Sequence, residues 1–146
     1  MDLTKKLKYF YKAPQTIGIS LNNTCNLSCI MCHYHSPIHK PTQSTDFFKT
    51  PKNLDSKIVK EAIIYAAKNG CAVDFTGPGE VLLDDRIYEF IKFARDKGVA
   101  RVGFTSNATL LTKDRSKKLI DSGISLIRFS VDGAVEETCK AIREHL

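Results

Sequence analysis

Cys71-Ala72-Val73-Asp74-Phe75-Thr76, followed at once by Gly77-Pro78-Gly79-Glu80, is the stretch whose reading decides the fold. A short, β-prone run that ends in Gly and Pro is a strand delivered into a turn. On its N-terminal side, Leu54 to Asn69 carries apolar residues at Leu54, Ile58 and Ala62 and, one row over, at Val59, Ile63 and Ala66. That spacing predicts a helix, and Gly70 stands at the position where a left-handed residue closes one. On its C-terminal side, Ile87, Phe90, Ile91 and Ala94 repeat at i, i+3, i+4 and i+7, predicting a second helix capped by Asp84 or Asp85 and stopped at Gly98.

The same unit recurs outward from this centre. Arg101 to Thr105 reads as a strand, Ser106-Asn107-Ala108 as a turn, and Thr112 to Ser122 as a short helix ended by Gly123. Leu126 to Val131 starts another strand, Asp132-Gly133 turns the chain, and Glu136 to Leu146 has a helical pattern. Upstream, Thr16 to Leu21 is a strand that runs into Asn22-Asn23-Thr24-Cys25. Between His33 and Asn53 the chain turns polar and is broken by Pro37, Pro41 and Pro51, as in a long connection that is either a flap or a binding loop.

Strands alternating with helices of this length predict an α/β fold with a parallel sheet, and in such sheets ligands gather at the C-terminal edge. The unusual residues all fall there: the cysteines after the first strand, Gly77 to Glu80 after the second, Ser106-Asn107 after the third and Ser130 to Gly133 after the fourth. Four turns are therefore expected to share one site.

Composition sets the outer bounds. The 146 residues are 42% hydrophobic and 26% charged, a balance that excludes disorder as the overall state and allows one sizeable core. The longest apolar run, Ala62 to Ala67, is far short of a membrane span, so no membrane partner is expected. Residues 1–60 hold nine lysines against three acids, whereas the remainder is balanced. Scattered lysines without interleaved arginine and aromatic residues read as a solvated surface, which argues against nucleic acid as a partner. Met1 to Lys12 lacks the apolar stretch of a secretory signal, and a reducing, cytoplasmic setting follows. The chain divides into a basic segment, 1–15, and a core domain, 16–146.

Three of the five cysteines, Cys25, Cys29 and Cys32, lie within eight positions. Four thiolates would close an electron-transfer [4Fe–4S] cluster; three leave one iron open to a further ligand. The alternative is a non-catalytic module, either iron–sulfur or a zinc knot with His33, His35 or His39 as fourth ligand, although Cys-x3-Cys-x2-Cys is not a usual zinc spacing. Cys71 and Cys139 read as small buried apolar residues.

Asn23 to Cys32, with that spacing, resembles the cluster signature of the radical S-adenosylmethionine (radical SAM) enzymes. Pro78-Gly79-Glu80-Val81 is similar to the family's Gly-Gly-Glu-Pro turn, with Pro78 in place of its first Gly and Val81 in place of its Pro. Thr105-Ser106-Asn107 and Phe129 to Gly133 look like the strand ends of the branch that modifies peptides and proteins.

The resemblance implies a partial (β/α) barrel, of which about four units are present where family cores carry about six, so the core is expected to be incomplete at its C-terminus. It implies that Cys25, Cys29 and Cys32 hold a [4Fe–4S] cluster whose fourth iron binds S-adenosylmethionine. Reductive cleavage of that cofactor would give a 5′-deoxyadenosyl radical that abstracts hydrogen from a substrate, a peptide or a small molecule. An electron donor such as flavodoxin or ferredoxin would supply the electron. By the same resemblance, Gly79 and Glu80 receive the methionine amino group, with Gly79 giving the room for close approach. Ser106, Asn107, Ser130 and Asp132 then contact ribose and carboxylate, and Met31 packs on adenine.

Overall fold

In the computed structural model, which describes residues 14–38 and 46–143, four strands form one sheet in the order β1-β2-β3-β4, and every neighbouring pair is parallel. The strands are β1 (Thr16–Ile19), β2 (Ala72–Phe75), β3 (Val102–Ser106) and β4 (Leu126–Phe129). Between them run α1 (Asp46–Lys49), α2 (Ser56–Asn69), α3 (Ile87–Asp96) and α4 (Lys113–Asp121), and α5 (Glu136–Arg143) follows the last strand. The basic segment up to residue 13, His39, Pro41 and the last three residues of the expected final helix lie outside the described residues.

The helices form where the apolar periodicity and the caps agree. Asp55 accepts the Lys57 N–H at 2.7 Å and starts α2, and Gly70, at φ 69°, closes it with its own N–H on the carbonyls of Ala66 and Ala67. Of the two apolar rows on this helix, Val59, Ile63 and Ala66 are buried, whereas Ile58 is 52% exposed. Thr112 caps α4 through the Arg115 N–H. Helix α3 buries Ile87, Phe90, Ile91 and Ala94 completely, but neither aspartate caps it. A 3₁₀ turn, Val81–Leu83, intervenes, the Asp84 carboxylate accepts from both the backbone N–H and the side chain of Arg86, and the helix begins beyond Arg86.

One face of the sheet packs against these helices. Ile19, Val73, Phe75, Val102 and Phe104 join Val59, Ile63, Phe90 and Ile91 in a single core, with the rings of Phe75 and Phe90 stacked at 6.4 Å. Burying such side chains contributes roughly 1.5–3 kcal/mol each, which is ample to drive this layer together. Because side chains alternate along a strand, Gly18, Asp74, Gly103, Thr105 and Arg128 belong to the opposite face. Cys71 is buried as expected; Cys139 is only half-buried and its thiol donates to the Gly133 carbonyl at 3.1 Å, so it ties down the turn after β4 rather than filling the core.

Candidate functional site

A cavity of about 300 Å³ opens at the C-terminal edge of the sheet, and residues from all four strand-end turns line it. Cys25, Cys29, Met31 and Cys32 come from the loop after β1, Gly79 and Glu80 from the turn after β2, Ser106 and Asn107 from the end of β3, and Ser130 from the turn after β4. Asp132 stands beside the cavity rather than on its wall, with its carboxylate paired to Arg143. Arg143 does reach the cavity.

The cysteine loop is shaped by its own backbone. The Cys32 N–H donates to the Cys29 carbonyl at 3.0 Å, and the N–H groups of Tyr34 and His35 point at the Cys32 sulfur at 3.4 and 3.3 Å. The Leu27 N–H approaches the Cys25 sulfur at 3.5 Å. At Cys25 the Leu27 N–H favours the thiolate form that iron requires. Burial pushes the free Cys25 and Cys29 thiols up from their ordinary range; for Cys29, the Arg143 charge partly offsets this. Among the described residues, no group of three or more His, Cys, Asp or Glu side chains is arranged to close on one metal ion. A cluster makes a different demand, since it takes each thiolate on a different iron. His35 has other work, its Nε2 lying 2.8 Å from the Pro78 carbonyl and linking the cysteine loop to the turn after β2.

Glu80 is the knot of the site. It is only 4% exposed, yet its carboxylate accepts from the Ser106 hydroxyl at 2.7 Å, the Asn107 N–H at 2.9 Å and the Leu82 N–H at 3.1 Å. Its backbone N–H donates to the Thr24 carbonyl at 2.8 Å, and its carbonyl accepts from Asn22 Nδ2 at 3.0 Å. One residue therefore fixes the ends of β1, β2 and β3 relative to each other. The need for glycine at position 79 also has an internal cause: a Cβ there would sit 1.8 Å from Asn22 Oδ1 and 2.7 Å from the Thr24 carbonyl oxygen. The close approach expected of a bound cofactor is made by the protein's own loop.

Three contributors were not singled out from the sequence. Asn22 and Asn23 are buried; Asn23 accepts the Lys52 N–H at 2.7 Å and donates to the Thr50 carbonyl at 3.1 Å, so the end of the long 33–53 connection is ordered against the cysteine loop. The third is Arg143, brought in because the Ile30 N–H of the cysteine loop donates to the Ile142 carbonyl at the end of α5 at 2.9 Å. The double Asn directly before the cysteine motif was the one available signal for the first two; nothing local marks Arg143.

Comparison with known proteins follows the same lines. A family model described as the radical SAM superfamily matches residues 19–146. An AdoMet-dependent heme synthase of Methanosarcina barkeri is 30% identical over 86% of this chain and 33% of its own length, and a probable GTP 3′,8-cyclase of Methanocaldococcus jannaschii is 28% identical over 91% and 41%. The chain thus spans about a third to two fifths of these relatives. Among solved structures, Streptococcus suis SuiB bound to its precursor peptide SuiA superposes with a TM-score of 0.70 at 17% identity, covering 97% of this chain and 30% of that one. BtrN in complex with AdoMet and 2-DOIA gives 0.67 at 20% identity, covering 85% and 48%. These two likenesses establish the fold.

Proposed function

The chain belongs to the radical SAM superfamily, whose members use a [4Fe–4S] cluster and S-adenosylmethionine, and on that premise we propose that its cavity is the site where both are held. The observation that carries this reading is the convergence of Cys25, Cys29 and Cys32 with the Glu80 turn, Ser106 and Ser130 on one cavity. Bound together, the two groups supply one-electron cleavage of a sulfonium C–S bond and a radical that abstracts hydrogen from a substrate.

The chain's own residues bind, orient and shield. Cys25, Cys29 and Cys32 are the iron ligands, and the N–H groups of Leu27, Tyr34 and His35 hold their charge. Glu80, with three of its acceptor positions filled, fixes the turn whose Gly79 backbone and remaining carboxylate lone pair receive the methionine ammonium. Ser106, Asn107 and Ser130 offer polar contacts to ribose and carboxylate. Asp132 acts at one remove, because it orients Arg143, whose buried Nε has no hydrogen-bond partner among the described residues and suits the cofactor carboxylate. Met31, half-exposed at the cavity mouth, covers the adenine.

The substrate is a peptide or a small molecule and the electron comes from flavodoxin or ferredoxin; SuiB, whose fold this chain shares, supports the peptide side of that reading. Among the described residues no helix is long and apolar enough to cross a membrane. Iron and sulfide analysis after anaerobic reconstitution tests the cluster. Four irons per wild-type chain are expected, and stoichiometric zinc without iron would overturn the reading.

A further inference from the structure

The sheet face turned away from the helices carries a second, polar cavity of about 230 Å³, lined by Asp74, Arg101, Gly103, Leu126 and Arg128 among others. Thr105 connects it to the site above. Thr105 lines the cavity under the cysteine loop, stands in register with Arg128 on the neighbouring strand, and accepts the Arg128 Nε–H through Oγ1 at 3.2 Å. Gly18 and Gly103 both belong to this face: a Cβ on Gly18 would meet nothing nearer than Thr76 Cγ2 at 3.9 Å, whereas one on Gly103 would come within 2.9 Å of the Leu126 carbonyl oxygen, so the cavity wall is tight there.

Arg128 is paired with Asp74 through Nη2 and Oδ2, but the pair is not closed. Asp74 Oδ1 is buried and has no hydrogen-bond partner, and the Arg128 side chain is 45% exposed with no hydrogen bond from Nη1 among the described residues. Arg86 and Asp84 show what a closed pair looks like in the same molecule. There Nε and Nη2 grip both carboxylate oxygens at 2.9 and 2.7 Å, and Nη1 is spent on the Ser56 hydroxyl at 2.8 Å. A guanidinium fixed along one edge, with its outer N–H groups turned to a cavity, is the arrangement that takes a carboxylate or phosphate in a two-point grip. Arg101 also lines this cavity, so its charged residues are two arginines and one aspartate, an excess of positive charge.

We propose that Arg128, positioned by Asp74 and Thr105, is the receptor for an anionic group, carboxylate or phosphate, of the substrate, which extends from this cavity past Thr105 to the cluster site. The assignment of that anion to a substrate rests on the reading given under Proposed function; the anion site itself does not.

The two are separable by calorimetric titration of the reconstituted chain with succinate and, in a second arm, inorganic phosphate. One of the two is expected to bind saturably at one site per chain, and which one does so identifies the group. Arg128→Gln should weaken that binding by at least about tenfold. Asp74→Asn should strengthen it severalfold, because the competing carboxylate charge is gone; a purely structural ion pair predicts the opposite sign. Ile120→Ala, at an exposed position of α4, should leave it unchanged. If neither anion saturates, or if Arg128→Gln binds as well as wild type, the proposal is wrong even with a full cluster. If the anion binds but no cluster forms, the site stands and its assignment to a radical substrate falls.

Discussion

The two faces of the sheet solve different problems with alternate residues of the same strands. On one face Val73, Phe75, Val102 and Phe104 are buried to within about a hundredth of their surface and meet α2 and α3 in a dry core. On the other, Asp74 and Arg128 line a polar cavity and Asp74 keeps one oxygen without a hydrogen-bond partner among the described residues. Above both, Glu80 gathers the strand ends into a rim that presents three thiols. The lesson is a division of labour: the helix-facing side holds the strands in place, and the rim and open face are free to carry chemistry.

That division can be broken most severely at the rim. Cys29→Ala is expected to abolish cluster assembly while leaving the unfolding midpoint of the metal-free chain unchanged; iron analysis and a thermal melt read the two effects separately. Loss of the fold along with the iron would show that rim and core are not independent.

Next in size is the core itself. Phe104→Ala, at a fully buried position, should cost about 3–5 kcal/mol in denaturant unfolding. Glu80→Gln sits between the two regions: it keeps the shape but weakens the hydrogen bonds to Ser106, Asn107 and Leu82, for a loss of about 1–3 kcal/mol together with weaker S-adenosylmethionine binding. If stability is unchanged, Glu80 is not the bracket described here. The smallest effect sharpens the boundary of the core: Ile58→Ala, on the exposed row of α2, should cost under about 1 kcal/mol, several times less than Ile63→Ala on the buried row.

Much of this was legible before any coordinates, and what was legible was local. The row Ile87, Phe90, Ile91 and Ala94 is one helix face at fixed spacing, and it is buried as a unit. Gly70 ends α2 because a left-handed residue is needed there, a requirement written in a single position. The three cysteines and Glu80 declare themselves by type and spacing, and the parallel topology brings them to one edge.

The parts that were missed depend on pairings between distant residues. Asn22 meets Glu80 across 58 positions and Arg128 meets Asp74 across 54, and no periodicity encodes such a meeting. Helix α3 starts beyond the aspartates, with the Asp84 carboxylate held by both the backbone N–H and the guanidinium of Arg86. The loop that crowds Gly79 lies 55 positions earlier at Thr24 and folds onto it only in three dimensions, so this second demand for glycine was not legible.

The central claim, that the rim holds a cluster with one iron open to the cofactor, is tested most directly by electron paramagnetic resonance. The chain is reconstituted anaerobically, reduced, and measured with and without S-adenosylmethionine. The account predicts a [4Fe–4S]⁺ signal whose g-values and line shape change when the cofactor is added. A cluster signal indifferent to saturating cofactor, or no cluster signal at all, would contradict it.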